Sequence, residues 1–294
     1  CLVGSEMCIR DRDTQQQIES IAQQVRELWG VGDAPIKNLQ FLLEKNGIIV
    51  TGFDTQEDKI DAFSQRTIIG NKDMYFIAVA LGQRPEGRIR FDMAHELGHI
   101  LLHPRSRRQR QMCIRDRLHP WSENLELITK EEFKAREKQA NMFASAFLLP
   151  KSSFSRDVQA YPTDLKYYQF LKKKWKASIQ AMVYRSNQLG IITDNQFQYM
   201  MRQISKNGWR TKEPDDTPCA LNETIFQGAI DLLIEEKILS PASILRTFRQ
   251  YGITLYRQDI EELLHLREGT LFDEESKPQI IQLKRPQGVD GGIK

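Results

Sequence analysis

Residues 94–103 read AHELGHILLH and place His95 and His99 four positions apart, with Glu96 between them. On a helix that spacing puts both imidazoles on one face, one turn apart, where they can reach a single metal ion. Two imidazoles and a carboxylate suit zinc and leave a coordination position for water. Zinc lowers the pKa of bound water to roughly 7, and the intervening Glu96 is placed to take that water's proton. A helix carrying chance histidines is the competing reading. Gly98 argues against it, because a glycine inside a helix costs about 1 kcal/mol relative to alanine and makes sense where backbone or substrate must come close. Three of the five histidines, His95, His99 and His103, lie on this one segment.

Two histidines need a third ligand, and a later segment offers one. Thr129-Lys130-Glu131-Glu132 fits a capping box. From there a stripe runs Phe133, Glu137, Ala140, Ala144 and Phe147, at spacings of 4, 3, 4 and 3. Glu137 interrupts an otherwise apolar stripe, and a carboxylate buried there needs a partner such as a metal. The alternative is a partly exposed Glu at the helix edge, or one paired with an arginine. Asn141, one turn on, is placed to orient Glu137 or a histidine. His103 is the rival third ligand. It lies one turn beyond His99, displaced by roughly 6 Å along the axis, and one ion would struggle to hold histidines from successive turns of a straight helix. His103 is therefore expected to support the ligands or to pack beside them.

These residues need elements to position them. Ile18, Ile21, Ala22, Val25, Leu28 and Trp29 make a helical stripe over residues 14–29 that Gly30 can close. Asp33 and Pro35 start a second helix carrying Leu39, Leu42 and Leu43. GIIVTGF (47–53), IDAFSQRTII (60–69) and MYFIAVAL (74–81) read as three strands of one sheet. Helices follow over residues 88–103 and 130–148. The second half is mostly helical, with helices over 165–175, from a Ser178 cap to about 190, and from a Thr193 cap to about 204. Further helices are expected over 223–238, 241–251 and 258–267, before a glycine-rich tail that holds a short QIIQL.

Two segments do not belong to this pattern. MCIRDR occurs at residues 7–12 and again at 112–117 with no similarity around the copies, unlike a structural repeat. The tripeptide LHP at 102–104 recurs at 118–120. The hexapeptide resembles the translation of ATGTGTATAAGAGACAG, part of an adapter that a transposase ligates to DNA when sequencing libraries are made. A staggered cut duplicates the overlap on either side of the adapter, as LHP is duplicated here. Residues 1–12 and 105–120 are accordingly read as artefacts outside the fold. Their removal leaves 266 of the 294 residues, enough for a full core and two domains. It also leaves Cys219 as the remaining one of four cysteines, too few for a disulfide framework and in keeping with a reducing compartment. Residues 105–120 hold six arginines against one aspartate, so the formal charge of +3 becomes −2 without them. Nucleic-acid binding therefore cannot be argued from overall charge. No apolar run approaches a membrane span.

RIRFDMAHELGHILLH followed by EKQANMFASAFLLP resembles the ImmA/IrrE-type zinc metallo-endopeptidases, in both the HExxH helix and the following Glu-x-x-Ala-Asn-x-Phe-Ala helix. The resemblance covers roughly residues 18–214. It implies an α+β fold: a zincin-like metallopeptidase domain with a small sheet and an HExxH helix, followed by a mostly helical C-terminal region. The expected division is a metallopeptidase domain over residues 13–155, a helix-turn-helix-like region over 156–214 and a helical C-terminal region over 215–294. The resemblance further implies His95, His99 and Glu137 as ligands of one Zn2+ per chain, Glu96 as general base, and a cytoplasmic location. The implied protein substrate is a helix-turn-helix repressor of a phage, a mobile element or a stress response. In chains of this kind a repressor-like domain often precedes the protease.

A reading from another class is a DNA-binding transcriptional regulator whose zinc site is structural or sensory. Its DNA contacts would be Lys172, Lys173, Lys174, Lys176, Tyr184 and Arg185, around the KKKWK run. The preferred reading of that run is a solvated basic helix end packed on the protease. An open coordination position also speaks against a structural zinc site, which four protein ligands normally close.

Overall fold

The computed structural model describes residues 3–53, 61–69, 72–82, 84–103, 129–217, 225–252 and 254–272. Residues 105–120 lie outside them, as do residues 1–2 of the other segment read as an artefact.

Three strands form one sheet: β1 (Ile48–Phe53), β2 (Ala62–Ile69) and β3 (Lys72–Ala80). Their order is β1-β3-β2. β3 pairs parallel with β1 and antiparallel with β2. The continuous apolar run Phe76–Ala80 suits the central position, where both faces are covered. Register places Val50, Ile77 and Ser64 in one row across the sheet. Val50 and Ile77 in that row are fully buried.

Helix α1 spans Val3–Leu28 and α2 spans Leu39–Lys45. α1 begins before the expected helix at 14–29. α2 is capped by Asn38, which accepts from Phe41 N at 3.0 Å. The expected start at Asp33 is thereby corrected, since that carboxylate accepts instead from Ser152 Oγ and Gln23 Nε2. Helix α3 (Glu86–Leu102) lies on the sheet and buries Ile89, Met93 and Leu97. Helix α4 (Lys130–Leu148) starts at the expected capping box, with Thr129 and Glu132 bonded reciprocally at 3.2 Å. It packs on α3 where Ala140 and Phe143 approach Gly98, and Ala144 and Phe147 extend its buried face into the core. Phe133, at the head of the expected apolar stripe, is instead 53% exposed, so the stripe begins one turn later.

The chain continues through α5 (Lys151–Val158), α6 (Leu165–Trp175), α7 (Ile179–Gln188) and α8 (Asp194–Lys206). Ser178 and Thr193 cap α7 and α8. A single apolar core joins these helices to the sheet, running from Ile18 and Ala22 of α1 to Met200 and Ile204 of α8. The boundary placed at 155/156 falls inside α5, and no change of core accompanies it. Two buried arginines tie the layers. Arg26 donates to Gly32 O at 2.7 Å and to Phe147 O and Ala34 O. Arg185 donates to Leu149 O at 2.9 Å and to both carboxylate oxygens of Glu19.

Helices α9 (Ile225–Glu235), α10 (Pro241–Gln250) and α11 (Arg257–Leu263) gather around a second, smaller core of Ile230, Ile244, Leu245, Ile260 and Leu271. This unit meets the edge of the sheet where Thr51 Oγ1 donates to Leu263 O at 2.7 Å. Among the described residues no helix is long and apolar enough to cross a membrane.

Candidate metal centre

His95 and His99 project from the same face of α3, and Glu137 faces them from α4. Nε2 of His99 lies 3.0 Å from Nε2 of His95. The two carboxylate oxygens of Glu137 each lie 3.3 Å from one of these nitrogens. All three groups are half-buried, and each offers one ligand atom within 4.8 Å of the others. Metal–ligand bonds of about 2.0–2.1 Å in tetrahedral geometry put neighbouring ligand atoms about 3.3 Å apart. The two imidazole nitrogens, 3.0 Å apart, and the carboxylate oxygen 3.3 Å from each lie near that spacing, and two imidazoles with a carboxylate are donors that could hold a metal ion.

Neighbouring groups orient the donors. Asn141 Oδ1 accepts from Nδ1 of His95 at 3.0 Å, which turns Nε2 toward the centre and would leave its lone pair to a bound metal. Burial works against charge on His95, but Glu137, Glu96 and Asn141 outweigh it and hold the ring above the ordinary histidine range. Hydrogen bonds from His95 and His99 hold Glu137 far below the usual carboxylate range. His103 donates from Nε2 to Arg136 O at 3.3 Å. Its ring packs 5.7 Å from that of His99. Burial, with His99 beside it, keeps His103 below the ordinary range. His103 thus bridges α3 to α4 at the edge of the centre.

Glu96 is 8% exposed and sits on α3 between the two histidines. Its Oε2 accepts from Ser64 Oγ of β2 at 2.6 Å. Ser64 was missed in the sequence. The signal was a hydroxyl residue at an inward position of an edge strand, in a row otherwise filled by Val50 and Ile77. Gly98 explains itself through α4: a Cβ there would lie 3.2 Å from Ala140 Cα, Ala140 O and Phe143 Cδ1. Of the two reasons the sequence allowed for this glycine, close backbone is the one found.

The basic run around Trp175 is placed differently from a DNA-reading surface. Lys172 is buried, with Nζ 2.9 Å from Glu213 Oε2 and 2.5 Å from Asp216 Oδ1. Lys173 faces Asp215, Lys174 lies 2.6 Å from Asp157, and Lys176 lies 3.0 Å from Glu86. Arg185 is fully buried against Glu19. Tyr184 is half-exposed and packs on Phe197. Lys172 and Arg185 are therefore corrected to internal ion pairs, because a buried cation needs a charged partner and has none of its field to offer DNA. Glu213, Asp216 and Glu86 lie 41, 44 and 90 positions from the lysines they meet, so those pairings have no local signature, whereas Asp157 belongs to the run's own acidic surroundings.

A family model described as Peptidase_M78, IrrE N-terminal-like domain, matches residues 43–187, about half of the chain. These residues run from the end of α2 through α7 and contain the whole centre. No curated protein matches the chain. Among solved structures, a Mycobacterium tuberculosis transcriptional regulator is similar with a TM-score of 0.38 and 20% identity, over 58% of this chain and 46% of that one. The chain thus spans less than half of that regulator's length.

Proposed function

We propose, from the premise that the chain belongs through residues 43–187 to the Peptidase_M78 family of IrrE N-terminal-like domains, that it is a zinc-dependent endopeptidase. Its substrate on this reading is a regulatory protein, a helix-turn-helix repressor, cut at a limited number of sites inside the cell. One observation supports the chemistry above all others: His95, His99 and Glu137 come together as a group that could hold a metal ion, while Glu96, the next carboxylate, bonds to Ser64.

Bound zinc would supply Lewis acidity toward the scissile carbonyl and a water of lowered pKa. The residues do the rest. His95, His99 and Glu137 would hold the ion. Asn141 fixes the tautomer of His95. Glu96, as general base, takes a proton from the attacking water on its free oxygen and delivers it to the amine that leaves.

Metal analysis tests the first half of this reading. About one zinc per chain is expected, and its loss in Glu137→Ala. The second half is tested by co-expression with candidate repressors and mass spectrometry of the fragments. Glu96→Gln should keep zinc and lose cleavage, and cleavage by this variant at the wild-type rate would refute the role given to Glu96.

A further inference from the structure

We infer that Ser64 is a positioning residue for Glu96: it selects which carboxylate oxygen works as the base. The inference rests on the endopeptidase reading above, in which Glu96 moves a proton.

The argument starts from the register of the sheet. Ser64, Ile77 and Val50 are neighbours across one row, with Ala62 and Val79 in the next. Val50, Ile77, Val79 and Ala62 are all buried apolar residues on the face that carries α3. An inward position on such a face ordinarily takes an apolar side chain, because a hydroxyl there must find a partner. Ser64 finds Glu96, at 2.6 Å, across the gap between β2 and α3. Among the described residues, no other hydrogen-bond donor to the Glu96 carboxylate is recorded. A serine hydroxyl and a carboxylate at this separation form a charge-assisted hydrogen bond, the stronger class.

The position of the bond determines its effect. Glu96 has three side-chain torsions and follows His95 directly on α3. Without a fixed partner its carboxylate could turn toward the same metal that His95 and His99 hold, and become a fourth ligand that displaces water. The Ser64 hydroxyl takes up one lone pair of Oε2 and lowers that oxygen's basicity, which leaves Oε1 the more basic of the two. When a water O–H bond breaks, the new O–H bond forms on Oε1. Ser64 continues to donate to Oε2, which remains the carbonyl-like oxygen of the acid. The proton then sits on the oxygen that Ser64 does not engage and can pass to the departing amine nitrogen, regenerating the carboxylate. Ser64 itself exchanges no proton and touches no substrate.

The probe is acetohydroxamate, a small metal-binding molecule whose hydroxyl proton must go to a neighbouring base as it binds. Its affinity for the zinc-loaded full chain is measured for wild type, Ser64→Ala, Ser64→Thr, Glu96→Gln and the Ala/Gln double variant. Zinc content and melting temperature are recorded for each. Ser64→Ala is expected to keep zinc and melting temperature while weakening acetohydroxamate about tenfold or more, in line with the ~100-fold effects of small misplacements. Ser64→Thr, which keeps the hydroxyl, should stay within about twofold. In the Glu96→Gln background, Ser64→Ala should have no further effect, because the two residues act as one unit. Wild-type affinity in zinc-loaded Ser64→Ala would overturn the inference. Absence of zinc from well-folded wild type would instead overturn the endopeptidase reading. A crystal structure of metal-free Ser64→Ala then decides the positioning question alone. A Glu96 carboxylate that has swung toward His95 and His99 supports the clamp, and one left in place refutes it.

Discussion

Replacing Gly98 by alanine sets two effects of similar size against each other. Alanine favours the helix by about 1 kcal/mol over glycine. The new methyl would meet α4 at 3.2 Å, below the 3.4 Å at which ordinary contact begins, and two of the three atoms it meets are the backbone of Ala140. Backbone cannot rotate aside as a side chain can, so α4 must retreat by a few tenths of an ångström. Overpacking of this kind costs about 1–3 kcal/mol, which exceeds the helical gain. The metal-free variant should lose about 1 kcal/mol in urea denaturation, the difference of these two terms. The same retreat carries Glu137 away from His95 and His99. Ligand distances tolerate only about 0.2 Å, so zinc affinity in a chelator competition should fall about 10–100-fold. A Gly98→Ala protein that is more stable without metal and binds zinc as tightly as wild type would refute the reasoning. It would show that α3 and α4 separate freely and that the glycine does not set their approach.

Burial pushes Asp92 up to about 6, from an ordinary value of 3.8. Among the described residues its Oδ2 has no hydrogen-bond partner, and the Arg88 guanidinium is 3.9 Å away. Between pH 4 and 6 the folded chain then binds more protons at this site than the unfolded chain. Stability therefore falls as pH rises through that window and is flat above it, by a total on the order of 3 kcal/mol. Asp92→Asn should accordingly raise the melting temperature at pH 8 and lose that advantage by pH 4; equal destabilisation at both would sink the prediction. Glu213 neutralises Lys172 and also accepts from Ile179 N at 2.8 Å and Gln180 N at 3.0 Å at the start of α7. Glu213→Ala leaves a buried ammonium with one partner fewer and should cost about 3–5 kcal/mol in denaturant. Lys173→Ala, whose side chain is 72% exposed, should change stability by less than about 0.5 kcal/mol.

Local chemistry in the sequence was sufficient for much of this architecture. The capping box at Thr129 and the caps at Ser178 and Thr193 mark helix starts because each acts within three or four residues. The triad was legible for a related reason: His95 and His99 share one helix, and Glu137 stands out against an apolar stripe. What stayed hidden depends on partners distant in sequence. The strand order puts β3 between β1 and β2, a choice made by tertiary packing rather than by any one strand. Helix α5 begins at Lys151 after Pro150 and buries only Phe154 and Val158, too short a pattern to show a period. Ser64 meets Glu96 across 32 positions, and Lys172 meets Glu213 across 41, so neither partnership has a local signature.

The two arginines that knit the layers together also set the smallest piece of this chain that can be cut out intact. Residues 43–187 carry the family likeness and every group of the centre. A fragment with those ends would nonetheless remove α1, and with it Glu19, leaving the fully buried Arg185 without its carboxylate. It would remove Arg26 from the Phe147 carbonyl at the end of α4. It would also strip Ile18, Ala22, Met200 and Ile204 from the core and open that core to water on two sides. A folded fragment that keeps the centre should therefore be drawn from about residue 14 to about residue 217, where the packing closes rather than where the likeness stops.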